Sequence, residues 1–586
     1  MFGWAMVLVG PAAFLSGVVF PLLISAACGR HSTAAGRGAG ILLGANTVGG
    51  VMGSLAAGFV LLPWVGAHRG TLLLALLPFS AGLGLVSACG CLPRARRAFT
   101  AGMYVLALGT AFWSAPRDVM DTIGRWYMPR DHEVLFFQEG AEATVTVSQP
   151  RGRQDGGDRV LWVNRVQATT SIERGVRMNR FQGVLPLLFD RNPREALFMC
   201  FGSGITCGTL AVAGFRHIDA VEISPEVYRA APLFGKDNLQ VMSRNNVRFF
   251  VGDGRHFLKT TGNTYDLISF EPMPLAMTGV TSFYTEEYYR LCRERLRAGG
   301  MVSQWIPLHS LGNSVVSRLF GTFLAVFPHT FVFHVNADIF LIGSDQPLNL
   351  DPEGAGDRIA VLPELLQALA DVGLDDLVEL TASCLVADAP AAIGSVPEAV
   401  ELPRLPYGAA LGGSSGITRY LVRHTILRDD RPWAEFEAPR WVMENTVPAN
   451  LQWLNRMITA DLDPWLARDT ATDIRERIGR RRHARRKDLE ALRALYSGLA
   501  IDHRALDLFL EALRLDPTDP MAVQYIGQIV GKQIEIFTRW KDQEKLEALL
   551  PKLNNHPELA DVHQMVLHAL STLAEDQSSE QSSTHP

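Results

Sequence analysis

Hydrophobic and polar positions follow four different rhythms along this chain. The front holds long runs almost free of charge, at residues 2–28, 40–66, 70–90 and 99–115. Each nears the length a bilayer-spanning helix needs, and together they predict a transmembrane segment of four helices over 1–115. A cleaved signal peptide would have a basic start and a single shorter apolar core, so it does not account for four runs. Past residue 115 the pattern alternates: "EVLFFQEGAEATVTVSQP", a Gly/Asp-rich turn at 151–158, then "RVLWVNRVQATTSI". This predicts a β-hairpin region across 131–170. From 195 to 345, short apolar runs alternate with amphipathic helices, the rhythm of a parallel α/β sheet.

Residues 346–480 are rich in Pro and Ala and have no clear period, so they read as a mixed extension. The basic run Arg480-Arg481-Arg482-His483-Ala484-Arg485-Arg486-Lys487 then opens a helical tail over 481–575 and reads as a solvated helix start. Inside the tail, "ALDLFLEALRLDPTDPMAVQYIG" looks like one tetratricopeptide helix running into the next. The Ser/Gln-rich end, 576–586, is expected to be disordered.

Composition narrows the class. Apolar residues make up 48% of the 586 and charged residues only 20%, which fits a membrane part joined to a soluble part. A net charge of −5 gives no reason to expect nucleic acid as a partner. The seven cysteines are scattered without zinc-ligand spacing, so neither a metal site nor a disulfide framework is expected. In the second apolar run Gly44, Gly49, Gly50, Gly53, Ser54 and Gly58 are small residues that let membrane helices pack closely. Arg30, Arg37, Arg94, Arg96 and Arg97 fall on one side of the predicted spans and Arg69 on the other. By the positive-inside rule that would export the soluble part.

The chemistry concentrates at strand ends. "EALFMCFGSGITCGTLAVAGF" (195–215) is a strand, a glycine turn and a helix. Its Gly202, Gly204 and Gly208 are spaced Gly-x-Gly-x-x-x-Gly, one position longer than a dinucleotide fingerprint, and no lysine completes a triphosphate loop. The spacing fits a loop holding S-adenosylmethionine or a relative. Glu222 ends the next strand, where an acid accepts from ribose hydroxyls. Asp253 ends the third, where it can accept from an adenine amino group while Gly254 leaves room for the ring. Glu271 follows the apolar strand "YDLISF", immediately before Pro272. A fold gains nothing from a charge at that point, whereas an active site can use one.

The ordered set "LWVNRVQATT", "FGSGITCGTL", "VEISPEV", "GDGRHFL", "YDLISFEPMP", "TSFYTEEYYRLCRERLRAGGMVSQWIPLH" and "DDRPWAEFEAPR" resembles the spermidine synthase (polyamine aminopropyltransferase) family. More narrowly, it is similar to a bacterial branch in which membrane spans precede the synthase-like domain, within 116–345 here. The resemblance implies a Rossmann-like S-adenosylmethionine-dependent transferase fold with an N-terminal β-hairpin region. It also implies decarboxylated S-adenosylmethionine as co-substrate with no permanent cofactor, and an amine such as putrescine as acceptor. Glu271 stands where the family has its catalytic aspartate, so it would take the acceptor's proton. Gln167 matches a glutamine of the lid over the donor; Tyr284 and Gln304 match positions near the substrate pocket. Two departures remove negative charge. Pro274 replaces a second aspartate, and the glycine loop carries no aspartate.

Three readings follow: an aminopropyltransferase-like enzyme, a methyltransferase using intact S-adenosylmethionine, and a membrane-tethered binding module. The helical tail would recruit a protein partner in the third reading, and a homodimer is compatible with all three. Adenosyl donors are kept in the cytoplasm. This outweighs the small arginine bias, so the expectation is a multi-pass protein of the bacterial inner membrane with its soluble domain in the cytoplasm.

Overall fold

The computed structural model describes residues 32–61, scattered positions from 64 to 106, and 127–152, 158–189, 194–388, 446–497 and 503–582, apart from single positions. The first predicted span, almost all of the third, most of the fourth, and the "DDRPWAEFEAPR" motif lie outside them. The chain forms two compact units, residues 1–130 with 136–145, and residues 131–135 with 146–586.

In the first unit, helix α1 (Ser32–Ala56) continues through a π turn to Leu61. Within it, Gly36–Leu61 is the one helix among the described residues long and apolar enough to cross a membrane, and its hydrophobic side chains are exposed. It covers most of the second predicted span.

An antiparallel meander follows, with strands β1 (His132–Glu139), β2 (Thr144–Pro150), β3 (Val160–Val163) and β4 (Val166–Thr170) in that spatial order. β3 and β4 join through Asn164 and Arg165, both at positive φ, the geometry of a tight hairpin turn. Then come α2 (Glu173–Val184), β5 (Glu195–Met199), α3 (Ile205–Val212), β6 (His217–Glu222), α4 (Pro225–Ala230), β7 (Val247–Val251), α5 (Gly254–Thr260) and β8 (Tyr265–Phe270). They are followed by α6 (Glu286–Glu294), β9 (Leu296–Pro307), α7 (Asn313–Val326), β10 (His329–Val335) and β11 (Asp338–Ser344).

The main sheet runs β12-β10-β11-β9-β8-β5-β6-β7, where β12 is Cys384–Val386. β5 to β9 are parallel; β11, β10 and β12 are antiparallel additions. The strands are near-continuous apolar runs because helices cover both faces. Order reverses at β5: β6 and β7 extend one way, β8 and β9 the other. The carboxyl ends of β5 and β8 therefore flank a crevice where open α/β sheets bind ligands. This is the doubly wound, Rossmann-like order expected from the alternation of runs.

Within the mixed extension, residues 346–388 are largely helical. They form α8 (Pro352–Ala360), α9 (Pro363–Ala370), α10 (Leu377–Ala382) and β12 on the sheet's edge. The C-terminal helices are α11 (Thr446–Met457), α12 (Thr472–Ser497), α13 (His503–Leu515), α14 (Pro520–Arg539), α15 (Gln543–Glu547), α16 (Leu550–Leu553) and α17 (Ala560–Ser582). The helix assignment reaches Ser582, past the predicted boundary at 575.

The basic run is solvated on one face only, where Arg480, His483 and Arg486 are exposed. Arg481, Arg482 and Arg485 are buried. Arg481 pairs with Glu379 of α10 at 2.7 Å and with Asp516, and Arg485 pairs with Glu379 as well. Arg482 donates to the carbonyls of Cys384 and Thr459. One face of α12 thus ties the tail to the α/β core. Buried charges persist only when paired, and here the pairing partners come from elements more than thirty residues away.

Candidate functional site

The turn after β5 passes repeatedly through the left-handed region, which glycine adopts without strain. Cys200, Gly202 and Gly204 all take positive φ, 64°, 57° and 79°. A side chain at Gly204 would run into the Phe201 ring, whereas Gly202 faces open space with only Thr169 of β4 near, at 4.0 Å. Gly208 lies deeper, inside α3. A Cβ there would overlap the Asn238 carbonyl oxygen, so its local reason is helix packing. Gly254 likewise lies against the Met199 side chain, 3.1 Å from where its Cβ would be.

Glu222, at the tip of β6, is buried. It accepts from the Phe201 backbone N–H at 2.9 Å and from that of Ser224 at 3.0 Å. Burial pushes its carboxyl up, and these backbone donors pull it back. It clamps the glycine turn onto the second strand. Asp253 is exposed and caps α5 by accepting from the His256 N–H at 2.6 Å, with its other carboxyl oxygen free for a ligand. Cys200 stands among three carboxylates. Burial first, then Glu222, Glu271 and Asp253, push its thiol well up, which makes it unreactive.

Glu271 extends from β8, and its N–H reaches the Met199 carbonyl at 3.4 Å. The side chain meets Thr206 of α3. That meeting follows from a close helix crossing: a Cβ on Gly183 of α2 would lie 2.6 Å from Thr209 of α3. One turn earlier on each helix, the same approach lays Asn179 against Thr206, whose hydroxyl reaches the Asn179 carbonyl at 3.0 Å. A hydroxyl has a single proton. When Glu271 is ionised, Thr206 donates to it. When Glu271 is protonated, it donates to Thr206, which then donates to Asn179. Burial pushes the Glu271 carboxyl up to about 7, the Thr206 bond opposes this, and the charge of Asp338 adds to it. A carboxylate tuned to neutrality in a crevice fits general-base work.

Asn179 also donates to Thr169 of β4 at 3.2 Å, which links the hairpin to the carboxylate. Gln167, also in β4, pairs with Trp162 and is exposed; a bulge separates it from Thr169, which pairs with Leu161. Tyr284 and Gln304 are buried below the crevice. Gln304 accepts from the Tyr289 hydroxyl at 2.5 Å, and Tyr284 lies beside Gln304 and Cys200. Sequence reasoning missed Thr206, Asn179 and Gln182. Their signal was weak: polar residues within apolar helix faces. At the opposite edge of the sheet a cleft of about 540 Å³ is lined by Arg194, Arg216, His217, Asp266 and Arg297, and includes no residue predicted for the site. Among the described residues no cluster could hold a metal.

Fold and crevice define a Rossmann-like α/β protein with its candidate site at the carboxyl ends of the parallel strands. No family model matches the chain. It is 30% identical over 301 residues to a polyamine aminopropyltransferase of Corynebacterium efficiens, covering 49% of this chain and 55% of that one. It is 27% identical over 299 residues to polyamine aminopropyltransferase 2 of Streptomyces coelicolor, covering 49% and 52%. The chain spans about half the length of these curated relatives. Among solved structures, spermidine synthase from Thermotoga maritima is 16% identical, with a TM-score of 0.34, covering 41% of this chain and 88% of that one. A probable spermidine synthase from Corynebacterium glutamicum is also 16% identical, with a TM-score of 0.30, covering 39% and 86%. By sequence, about half of the chain is similar to polyamine aminopropyltransferases.

Proposed function

We propose that this chain is an aminopropyltransferase that moves the aminopropyl group of decarboxylated S-adenosylmethionine to an amine such as putrescine. The observation that carries the reading is Glu271: a carboxylate at the switch point, raised to about 7 and joined to Thr206. In the reaction the acceptor nitrogen forms a bond to the carbon beside the sulfonium. The carbon–sulfur bond breaks, its electron pair stays on sulfur, and the nitrogen's proton goes to Glu271. Gly202, Gly204, Glu222 and Asp253 hold the adenosyl part, and Gln167 on the hairpin covers it. The crevice fixes donor and acceptor in line, which supplies much of the rate for so good a leaving group.

The test is ligand discrimination on the full chain. Decarboxylated donor is expected to raise the melting temperature more than intact S-adenosylmethionine does. The reverse order would favour a methyltransferase, and no shift with either would leave a binding module. The same reading includes anchoring through α1 and the other apolar runs in a bacterial inner membrane, with the α/β unit in the cytoplasm, where adenosyl donors are made. An alkaline phosphatase fusion after residue 130 is then inactive; an active fusion would place the unit outside.

A further inference from the structure

We propose that Asp338 is the second carboxylate of the acceptor pocket and anchors the far ammonium of a diamine whose near nitrogen faces Glu271. This rests on the aminopropyltransferase reading. The argument begins with sheet polarity. β11 runs antiparallel to β9, so its first residue, Asp338, pairs with Pro307 at the carboxyl end of β9. That is the edge from which Glu271 emerges, with β9 alone between β8 and β11. Two strand spacings separate the carboxylates laterally by roughly 10 Å, a gap that a short aliphatic diamine with a charged group at each end can bridge.

Both carboxylates are on the same face of the sheet. Ser269, two residues before Glu271, accepts from Gln182 of α2 at 3.0 Å, and Glu271 itself reaches Thr206 beside α2. Phe340, two residues after Asp338, packs on Phe181 of α2 with ring centroids 5.4 Å apart. Side chains two apart along a strand share a face. The charge of Asp338 is felt at Glu271, whose carboxyl it helps to raise.

Asp338 is 4% exposed. It accepts from Trp305 Nε1 at 3.0 Å, and its ion-pair partner is His309 at 3.6 Å, a half-exposed ring. Among the described residues no lysine or arginine forms a salt bridge with it. Arg174 contributes charge from a distance and is itself hydrogen-bonded at 3.4 Å to Tyr496 of α12, which brings the C-terminal helices to this end of the pocket. A buried carboxylate held by one indole and one titratable ring is short of a permanent cation. A second observation points the same way. Gln182, 1% exposed, gives its amide N–H to Ser269, while its carbonyl oxygen Oε1 has no partner. An orphaned acceptor on the face shared by two carboxylates suits an ammonium donor.

The experiment is calorimetric titration of the full chain in detergent, saturated with methylthioadenosine, using 1,4-diaminobutane and butylamine. The wild type is expected to prefer the diamine by about ten- to hundredfold, the worth of one charge-assisted hydrogen bond. Asp338→Asn keeps an acceptor for Trp305. It is expected to abolish the preference while butylamine and methylthioadenosine bind as before. Asp338→Glu, which moves the carboxylate inward by one methylene, is expected to shift the preference toward 1,3-diaminopropane. Equal binding of diamine and monoamine by the wild type, or an undiminished preference in Asp338→Asn, overturns the proposal. Diamine preference that depends on Asp338 without any aminopropyl transfer would sink the transferase reading and support this one.

Discussion

Replacing Glu271 with Gln separates what the fold needs from what the chemistry needs. The glutamine is isosteric with the protonated acid, and its amide can donate to Thr206 Oγ1 as the acid does. Burial raises the Glu271 carboxyl from the ordinary value of 4.5 to about 7, a difference of about 3 kcal/mol between folded and unfolded chain at 1.36 kcal/mol per tenfold. The folded state holds this proton more tightly, so the wild type loses stability as pH rises from about 4.5 to about 7, and the penalty is full above that. Glu271→Gln has no such slope. At pH 8 it is expected to be more stable than the wild type by up to about 3 kcal/mol, and at pH 4.5 nearly equal. Guanidinium unfolding of the full chain in detergent, followed by tryptophan fluorescence at both values, measures the difference. Turnover should move in the opposite direction, with a loss of about a hundredfold or more in the variant. A stability gap that is the same at both pH values would refute the reasoning, because the carboxylate would then not be ionising in a buried site.

Thr206→Val removes the hydrogen bond that holds the Glu271 carboxyl down, so the acid limb of the pH–rate profile is expected to move to higher pH; an unmoved limb would detach Thr206 from Glu271. Glu222→Ala leaves the Phe201 and Ser224 N–H groups without their acceptor and is expected to weaken adenosyl-ligand binding by about 1.5–3 kcal/mol in a calorimetric titration. Arg485→Met takes one of two guanidinium groups from Glu379, whose carboxyl they hold down to about 2 against the effect of burial. The expected cost is about 3–5 kcal/mol in chemical unfolding, with adenosyl binding intact in the folded fraction.

Local grammar carried the reading of the nucleotide half. Strand, glycine turn and helix are contiguous in "EALFMCFGSGITCGTL", and the acids Glu222 and Asp253 mark the ends of the next two strands. Each fact needs only a window of a dozen residues, and the sheet assembles them because parallel strands all end at one edge. What depended on packing between distant segments was not legible. The Thr206–Asn179 contact exists because Gly183 lets α2 approach α3, and no pattern in "RMNRFQGVLPL" announces which residue will be opposite. The arginines of α12 read as solvated for the same reason: their partners, Glu379 and Asp516, are 102 and 35 residues away from Arg481.

Asp338 exposes a sharper limit in reading sites from strand ends. The search rule looks past the last residue of each strand, which is right for β5, β6, β7 and β8 because they run in one direction. β11 runs the other way, so its contribution to the same edge comes at its first residue. In sequence, that residue sits in "HVNADIF", a tight turn between two apolar strands, with Asn336 at positive φ, and an aspartate there reads as turn chemistry. The physical distinction is burial. A turn aspartate at a sheet rim is solvated, whereas Asp338 is enclosed under Trp305 and beside the end of α2, where an isolated charge is costly. Strand polarity therefore has to be settled before strand ends are searched. In a mixed sheet the residues that open antiparallel strands belong with those that close parallel ones, and a carboxylate buried at such an opening is a candidate to hold a ligand's cation.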